Sequence, residues 1–130
     1  MRTAFEIVKS HYDANDRHDF AGMLADIGPE TQWIEMAGFP CAGTHVGPDA
    51  VVENVFKVLG AQFDNYTFTL ERLLDAGNDV VAIGNYTATC KKTGEHFNAR
   101  VVHVWTAAQD KVQRFEQFTD TLLVDKAMRS

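Results

Sequence analysis

Four stretches within residues 66–121 decide the fold: YTFTLERLL at 66–74, VVAIGNYTATC at 80–90, EHFNARVVHVWT at 95–106 and KVQRFEQFTDT at 111–121. All four are rich in β-branched and aromatic residues and alternate with a period of two, the pattern of strands lying on a core. Between them stand Ala76-Gly77-Asn78, Lys92-Thr93-Gly94 and Ala108-Gln109-Asp110. These breaks have hairpin length and composition, so strands adjacent in sequence are expected to be antiparallel neighbours in the sheet. Strands this long exceed the usual run of about five or six residues, which predicts a strongly curved sheet relieved by bulges.

Upstream the spacing is helical. Over residues 3–15, Ala4, Ile7, Val8, His11 and Tyr12 share one face, with Glu6, Lys9, Ser10 and Asp13 on the other. Asp19 is placed to cap a second helix that turns Phe20, Met23, Leu24 and Ile27 inward before Gly28-Pro29 stops it. Residues 31–36 alternate as a short strand with Trp33 and Glu35 on one face, and Gly38, Pro40, Gly43 and Gly47 then punctuate a loop. Pro48-Asp49 opens a third helix with Val51, Val52, Val55, Phe56, Leu59 and Phe63 as its buried stripe, and residues 122–128 read as a short C-terminal helix. The expectation is an α+β fold in which three N-terminal helices pack in the concave face of a strongly curved, mixed-to-antiparallel sheet. Such a cone-shaped barrel has a natural pocket at its mouth.

The composition bounds the partners. At 130 residues the chain is the length of one domain, read here as a single unit over 1–130. Eighteen acidic against twelve basic side chains, with no basic cluster beyond Lys91-Lys92, argue against nucleic acid. The charged N-terminus and the lack of any long apolar run argue against secretion and membrane insertion, so a cytoplasmic location is expected. Cys41 and Cys90 stand far apart without zinc-type spacing and are read as reduced thiols, although spacing alone leaves a bridge between them open. The five histidines show no HxxxH or facial-triad spacing, so no metal is expected, and no phosphate loop or other cofactor motif appears.

The order of several segments carries a resemblance. Tyr12…Asp16-Arg17-His18-Asp19-Phe20, Thr31-Gln32-Trp33, residues 42–51 (AGTHVGPDAV), Val102-His103-Val104-Trp105-Thr106, Asp110-Lys111-Val112 and Phe118-Thr119-Asp120 together resemble the nuclear-transport-factor-2-like superfamily. Within it the chain is most similar to SnoaL-like proteins, the group related to ketosteroid isomerases and polyketide cyclases. The resemblance implies a cofactor-independent proton transfer on a small hydrophobic carbonyl compound, as an isomerase, cyclase or dehydratase step. It also implies a homodimer through the sheet, and Ile34, Tyr86, Val102 and Val104 are expected on its outer, pairing face.

The same resemblance nominates site residues. Glu35 falls where ketosteroid isomerases carry the proton-shuttling carboxylate, and burial beside Trp33 would raise its pKa toward the range of a general base; the alternative is an ion pair with Arg100 or Arg114. His103 stands where those isomerases place an acid that donates to the oxyanion. Asp120 is similar in position to the acid/base aspartate of SnoaL-like cyclases, or else caps the helix that follows. His11 and Tyr12 bracket the isomerases' oxyanion tyrosine, so their set of one tyrosine and two aspartates is not reproduced. Asn85 and Thr87 occupy positions where epoxide hydrolases of the superfamily need an arginine and an aspartate; they are expected to bind ligand or water. Trp33 and Trp105, with Phe97, Phe115 and Phe118 nearby, are expected to form an aromatic wall. The competing reading is a non-catalytic module of the same fold, and it wins if Glu35, His103 and Asp120 fail to converge on one void.

Overall fold

The computed structural model describes residues 1–129. Helix α1 (Ala4–Asp16) begins with a capping box: Thr3 Oγ1 accepts from the Glu6 N–H, and Glu6 Oε1 accepts from the Thr3 N–H. Its buried face carries Ala4, Ile7, Val8, His11, Tyr12 and Ala14. Helix α2 (Phe20–Leu24) is capped by Asp19, as expected, but lasts five residues and buries none of them. Ile27, expected on that helix, instead opens strand β1 (Ile27–Glu35), and strand β2 (Gly43–Val46) forms inside the expected loop. The helix ends three residues before Ile27, and Gly28 and Pro29 lie inside the strand at a register irregularity between Ile27 and Gln32, so the strand runs through them.

Helix α3 covers residues 48–62 and is interrupted. Pro48–Val51 and Lys57–Gln62 are α-helical, whereas Val52–Phe56 forms a π-helical turn. The turn leaves Val51, Val55 and Leu59 buried while Val52 and Phe56, expected in the core stripe, are only half-buried. Strands β3 (Phe63–Ala76), β4 (Asp79–Cys90), β5 (His96–Ala108) and β6 (Lys111–Thr119) follow, then helix α4 (Thr121–Arg129).

The sheet order is β2-β1-β6-β5-β4-β3. The last four strands are the predicted antiparallel run; β1 joins β6 in parallel and β2 antiparallel, making the sheet mixed. Register shifts between Asp64 and Thr67, Leu70 and Arg72, and Thr106 and Ala107 supply the curvature. At Gln109 and Asp110 both turn residues adopt positive φ, matching the twist of the β5–β6 hairpin. Small residues point inward from the middle of the sheet, Ala82, Gly84 and Ala88 on β4 and Ala99 on β5. Gly84 is required there, because a Cβ would collide with the Thr69 carbonyl and the Phe68 ring.

Alternation on β4 runs opposite to the expectation. Both parities are apolar enough to face a core, so the pattern alone does not orient the strand. In the structure Val80, Ala82, Gly84, Tyr86, Ala88 and Cys90 point inward. Tyr86 therefore leaves the outer face to which the sequence assigned it, while Ile34, Val102 and Val104 remain there, half-buried. Both cysteines are free and buried. Among the described residues no helix is long and apolar enough to cross a membrane.

Candidate active site

The helices and the sheet enclose a cavity of about 300 Å³, at the small end of ligand sites. Most of its lining is apolar: Trp33, Val55, Phe56, Leu59, Phe63, Phe68 and Phe115 among others. Its polar lining is His11, Tyr12 and Asn15 from α1, Glu35 from β1, Tyr66 from β3, Tyr86 from β4 and His103 from β5.

Glu35 is 4% exposed, on the same face of β1 as Trp33. Its Oε1 accepts from Trp33 Nε1 at 3.1 Å, and its Oε2 has no hydrogen-bond partner of normal geometry. Desolvation pushes the carboxyl up to about 8, with the Trp33 N–H and the nearby Cys41 thiol pulling weakly the other way. The ion-pair alternative does not hold: Arg100 pairs with Glu71 at 2.5 Å and Arg114 with Glu116 at 3.0 Å, all on the outer face.

His103 lies between two phenols. Its Nδ1 is 2.5 Å from Tyr12 Oη and its Nε2 is 2.6 Å from Tyr86 Oη. Trp105 Nε1 donates to Tyr12 Oη at 2.8 Å, and Gln117 Nε2 donates to Tyr86 Oη at 3.0 Å. The indole and the Gln117 amide each donate to one of the phenols, so the two sides are alike, and the neutral imidazole donates from one ring nitrogen and accepts at the other. Burial holds the His103 imidazole neutral, well below the ordinary imidazole value. Burial likewise raises Tyr12, Tyr66 and Tyr86 well above the ordinary phenol value, so all three keep their protons. The Tyr66 hydroxyl has no hydrogen-bond partner of normal geometry, although it lies near enough to Tyr86 for the two phenols to influence each other.

The structure thus brings Glu35, His103, His11, Tyr12 and Trp33 to one cavity and moves other candidates away from it. Asp120 is exposed beyond the end of β6, where its Oδ1 accepts from the Leu123 N–H at 3.2 Å and caps α4. Asn85 and Thr87 follow the outward parity of β4, and Asn85 hydrogen-bonds Asn98 and Arg100 there. Trp105 lines no part of the cavity: His11 and Tyr12 cover it, and its role is the N–H given to Tyr12. Phe118 is 42% exposed, because Gln113 is an extra residue opposite β5 and shifts the alternation of β6. Phe20, expected inward, is 62% exposed at the cavity rim.

Three residues were not foreseen: Tyr66, Tyr86 and Gln117. The hairpin register held the signal, since it places Ala82 and Gln117 directly opposite His103 and Tyr86 opposite Ala99. Among the described residues no three His, Cys, Asp or Glu side chains converge to hold a metal.

A curved sheet wrapped around helices, with a small apolar cavity that holds one buried carboxyl and several phenols, defines the class of cone-shaped α+β ligand-cavity proteins. The chain belongs to the SnoaL-like domain family, whose model matches residues 8–115. It is 54% identical over the full length of both chains, with a TM-score of 0.98, to an NTF2-like protein of Burkholderia thailandensis of known crystal structure. The structure of TerC co-crystallized with polyporic acid has the same fold, with a TM-score of 0.87 at 22% identity over 98% of each chain. Patulin synthesis protein F of Aspergillus clavatus is 34% identical over 70 residues, which are 52% of this chain and 33% of the fungal protein. The match therefore spans about a third of that relative's length.

Proposed function

We propose that the protein is an enzyme that moves a proton at the carbon next to a carbonyl in a small hydrophobic compound. Asp120 stands apart from Glu35 and His103, so the expected three-residue convergence fails; what supports catalysis instead is the pairing, in one apolar cavity, of a buried carboxyl and a buried phenol that each keep an oxygen without a hydrogen-bond partner of normal geometry. In this reading the ionised Glu35 takes the α-proton. The electron pair of the C–H bond moves into the carbonyl, and the resulting enolate oxygen accepts a hydrogen bond from Tyr66. Glu35 then returns the proton, to the same carbon in exchange or to a conjugated carbon in isomerisation.

A carboxylate that ionises near 8 is a stronger base than an ordinary one, which is what abstraction from carbon requires. His103 is a positioning residue here, since both its nitrogens are engaged by Tyr12 and Tyr86. The half-buried outer strip of Ile34, Ile83, Val102 and Val104 is read as a surface for self-association. The test of the chemistry is deuterium uptake at the α-carbon of small cyclic ketones, followed by NMR with the native chain and Glu35→Gln. Exchange by the native chain alone supports the reading, and equal rates in both chains overturn it.

A further inference from the structure

Helix α1 turns His11, Tyr12 and Asn15 to the cavity; the Tyr12 hydroxyl is engaged by His103 and Trp105, and His11 and Asn15 lie one turn apart. Both have their N–H groups committed elsewhere. His11 Nδ1 lies 3.0 Å from the Met23 carbonyl oxygen. Asn15 Nδ2 lies 3.2 Å from the Phe68 carbonyl oxygen and 3.3 Å from Asp16 Oδ1. Carbonyl and carboxylate oxygens only accept, so the chemistry of the partners fixes both orientations: the imidazole hydrogen is on Nδ1 and the Asn15 amide nitrogen faces β3. What remains toward the ligand is a lone pair on His11 Nε2 and another on Asn15 Oδ1. Burial drives the His11 imidazole down to about 4, so it stays an acceptor at neutral pH.

The polar lining is therefore sorted by sign. Tyr66 offers an O–H group from the sheet, while the two α1 side chains left without a polar partner toward the cavity, His11 and Asn15, offer acceptors. We propose that α1 forms a hydroxyl-recognition subsite, so that the ligand is a carbonyl compound bearing a second, hydroxyl group whose O–H donates to His11 Nε2 or Asn15 Oδ1. This rests on the proton-transfer reading for the placement of the carbonyl at Tyr66. A ligand without the hydroxyl covers two acceptors without pairing them; one with a methyl ether adds a third.

The test uses β-tetralone, the same ketone with a ring hydroxyl on the edge far from the carbonyl, and the methyl ether of that hydroxyl. Affinities are measured by calorimetry with the native chain, His11→Phe and Asn15→Leu. Removing a buried hydroxyl contact of this kind weakens binding by about tenfold or more. The hydroxy ketone is expected to bind the native chain at least about fivefold tighter than the ether, and the ratio is expected to shrink in both variants. If His11→Phe does not fold, Asn15→Leu alone decides. A native ratio below about fivefold, an unchanged ratio in the folded variants, or no binding of the hydroxy ketone overturns the subsite. Deuterium exchange on the same compounds separates the two readings. Exchange without hydroxyl preference sinks the subsite and keeps the chemistry; hydroxyl preference without exchange does the reverse.

Discussion

Replacing Glu35 with Gln should make the protein more stable at pH 8 and abolish the pH dependence that this one side chain imposes. The unfolded chain ionises Glu35 near 4.5, whereas the folded chain holds its proton up to about 8. Between those values the native state binds one proton more than the unfolded state, so stability is greatest below 4.5 and falls as pH rises toward 8. A gap of that size corresponds to about 5 kcal/mol in full, of which about 3–4 kcal/mol falls between pH 5 and pH 8. His11 and His103 act in the opposite direction: their folded values are depressed, so they cost stability as pH falls below about 6.5. Wild-type stability is a composite for that reason, and the difference between wild type and Glu35→Gln isolates the carboxyl. Gln keeps the size of Glu and can still accept from the Trp33 indole, so the cavity wall is preserved. The assay is urea unfolding of both chains at pH 5, 6, 7 and 8. The stability difference should grow with pH in favour of the variant, and two curves that stay parallel across the range would falsify a buried, proton-holding Glu35.

Other substitutions follow from the same geometry. The α-exchange rate of the native chain should rise tenfold per pH unit and level near pH 8, since the base form of Glu35 is the active one; a rate that falls through that range contradicts the base assignment. Tyr66→Phe removes the hydroxyl assigned to the enolate oxygen and should lower kcat by about 10²-fold or more with little change in KM. Asp120→Ala deletes the cap of α4 and should cost about 1 kcal/mol in urea unfolding while exchange stays at the native rate. Gly84→Ala forces a methyl into the Thr69 carbonyl and should cost about 2 kcal/mol or more, seen as a lower Tm.

The helix faces, the four long strands and the cap at Asp19 were legible because each rests on local chemistry: periodicity, turn composition and a side-chain oxygen before a helix. Glu35 was legible for the same reason, since strand parity tied it to Trp33. The phenols were not. Whether Tyr86 faces in or out depends on which side of β4 the helices cover, and both parities of that strand are apolar. The Phe118 error came from the extra residue Gln113, which shifts the alternation and leaves no mark in composition. Asp120 shows a further limit, in that a carboxylate at the end of a strand and one at the start of a helix look alike until the backbone turns. Resemblance placed His103 at the site, but that its two nitrogens are already engaged is a property of the assembled sheet.

The π-helical turn at Val52–Phe56 bears on how such a cavity changes over time. A turn of this kind holds one residue more than an α-helical turn, so losing a single residue there would restore a continuous α-helix. Because the extra residue is taken up within the turn, the segment beyond it would keep its facing and Leu59 would stay on the cavity wall. A one-codon deletion there can thus alter the wall at Val55 and Phe56 alone. Lineages of this fold can reshape one side of the chamber by gaining or losing this residue while the sheet stays fixed.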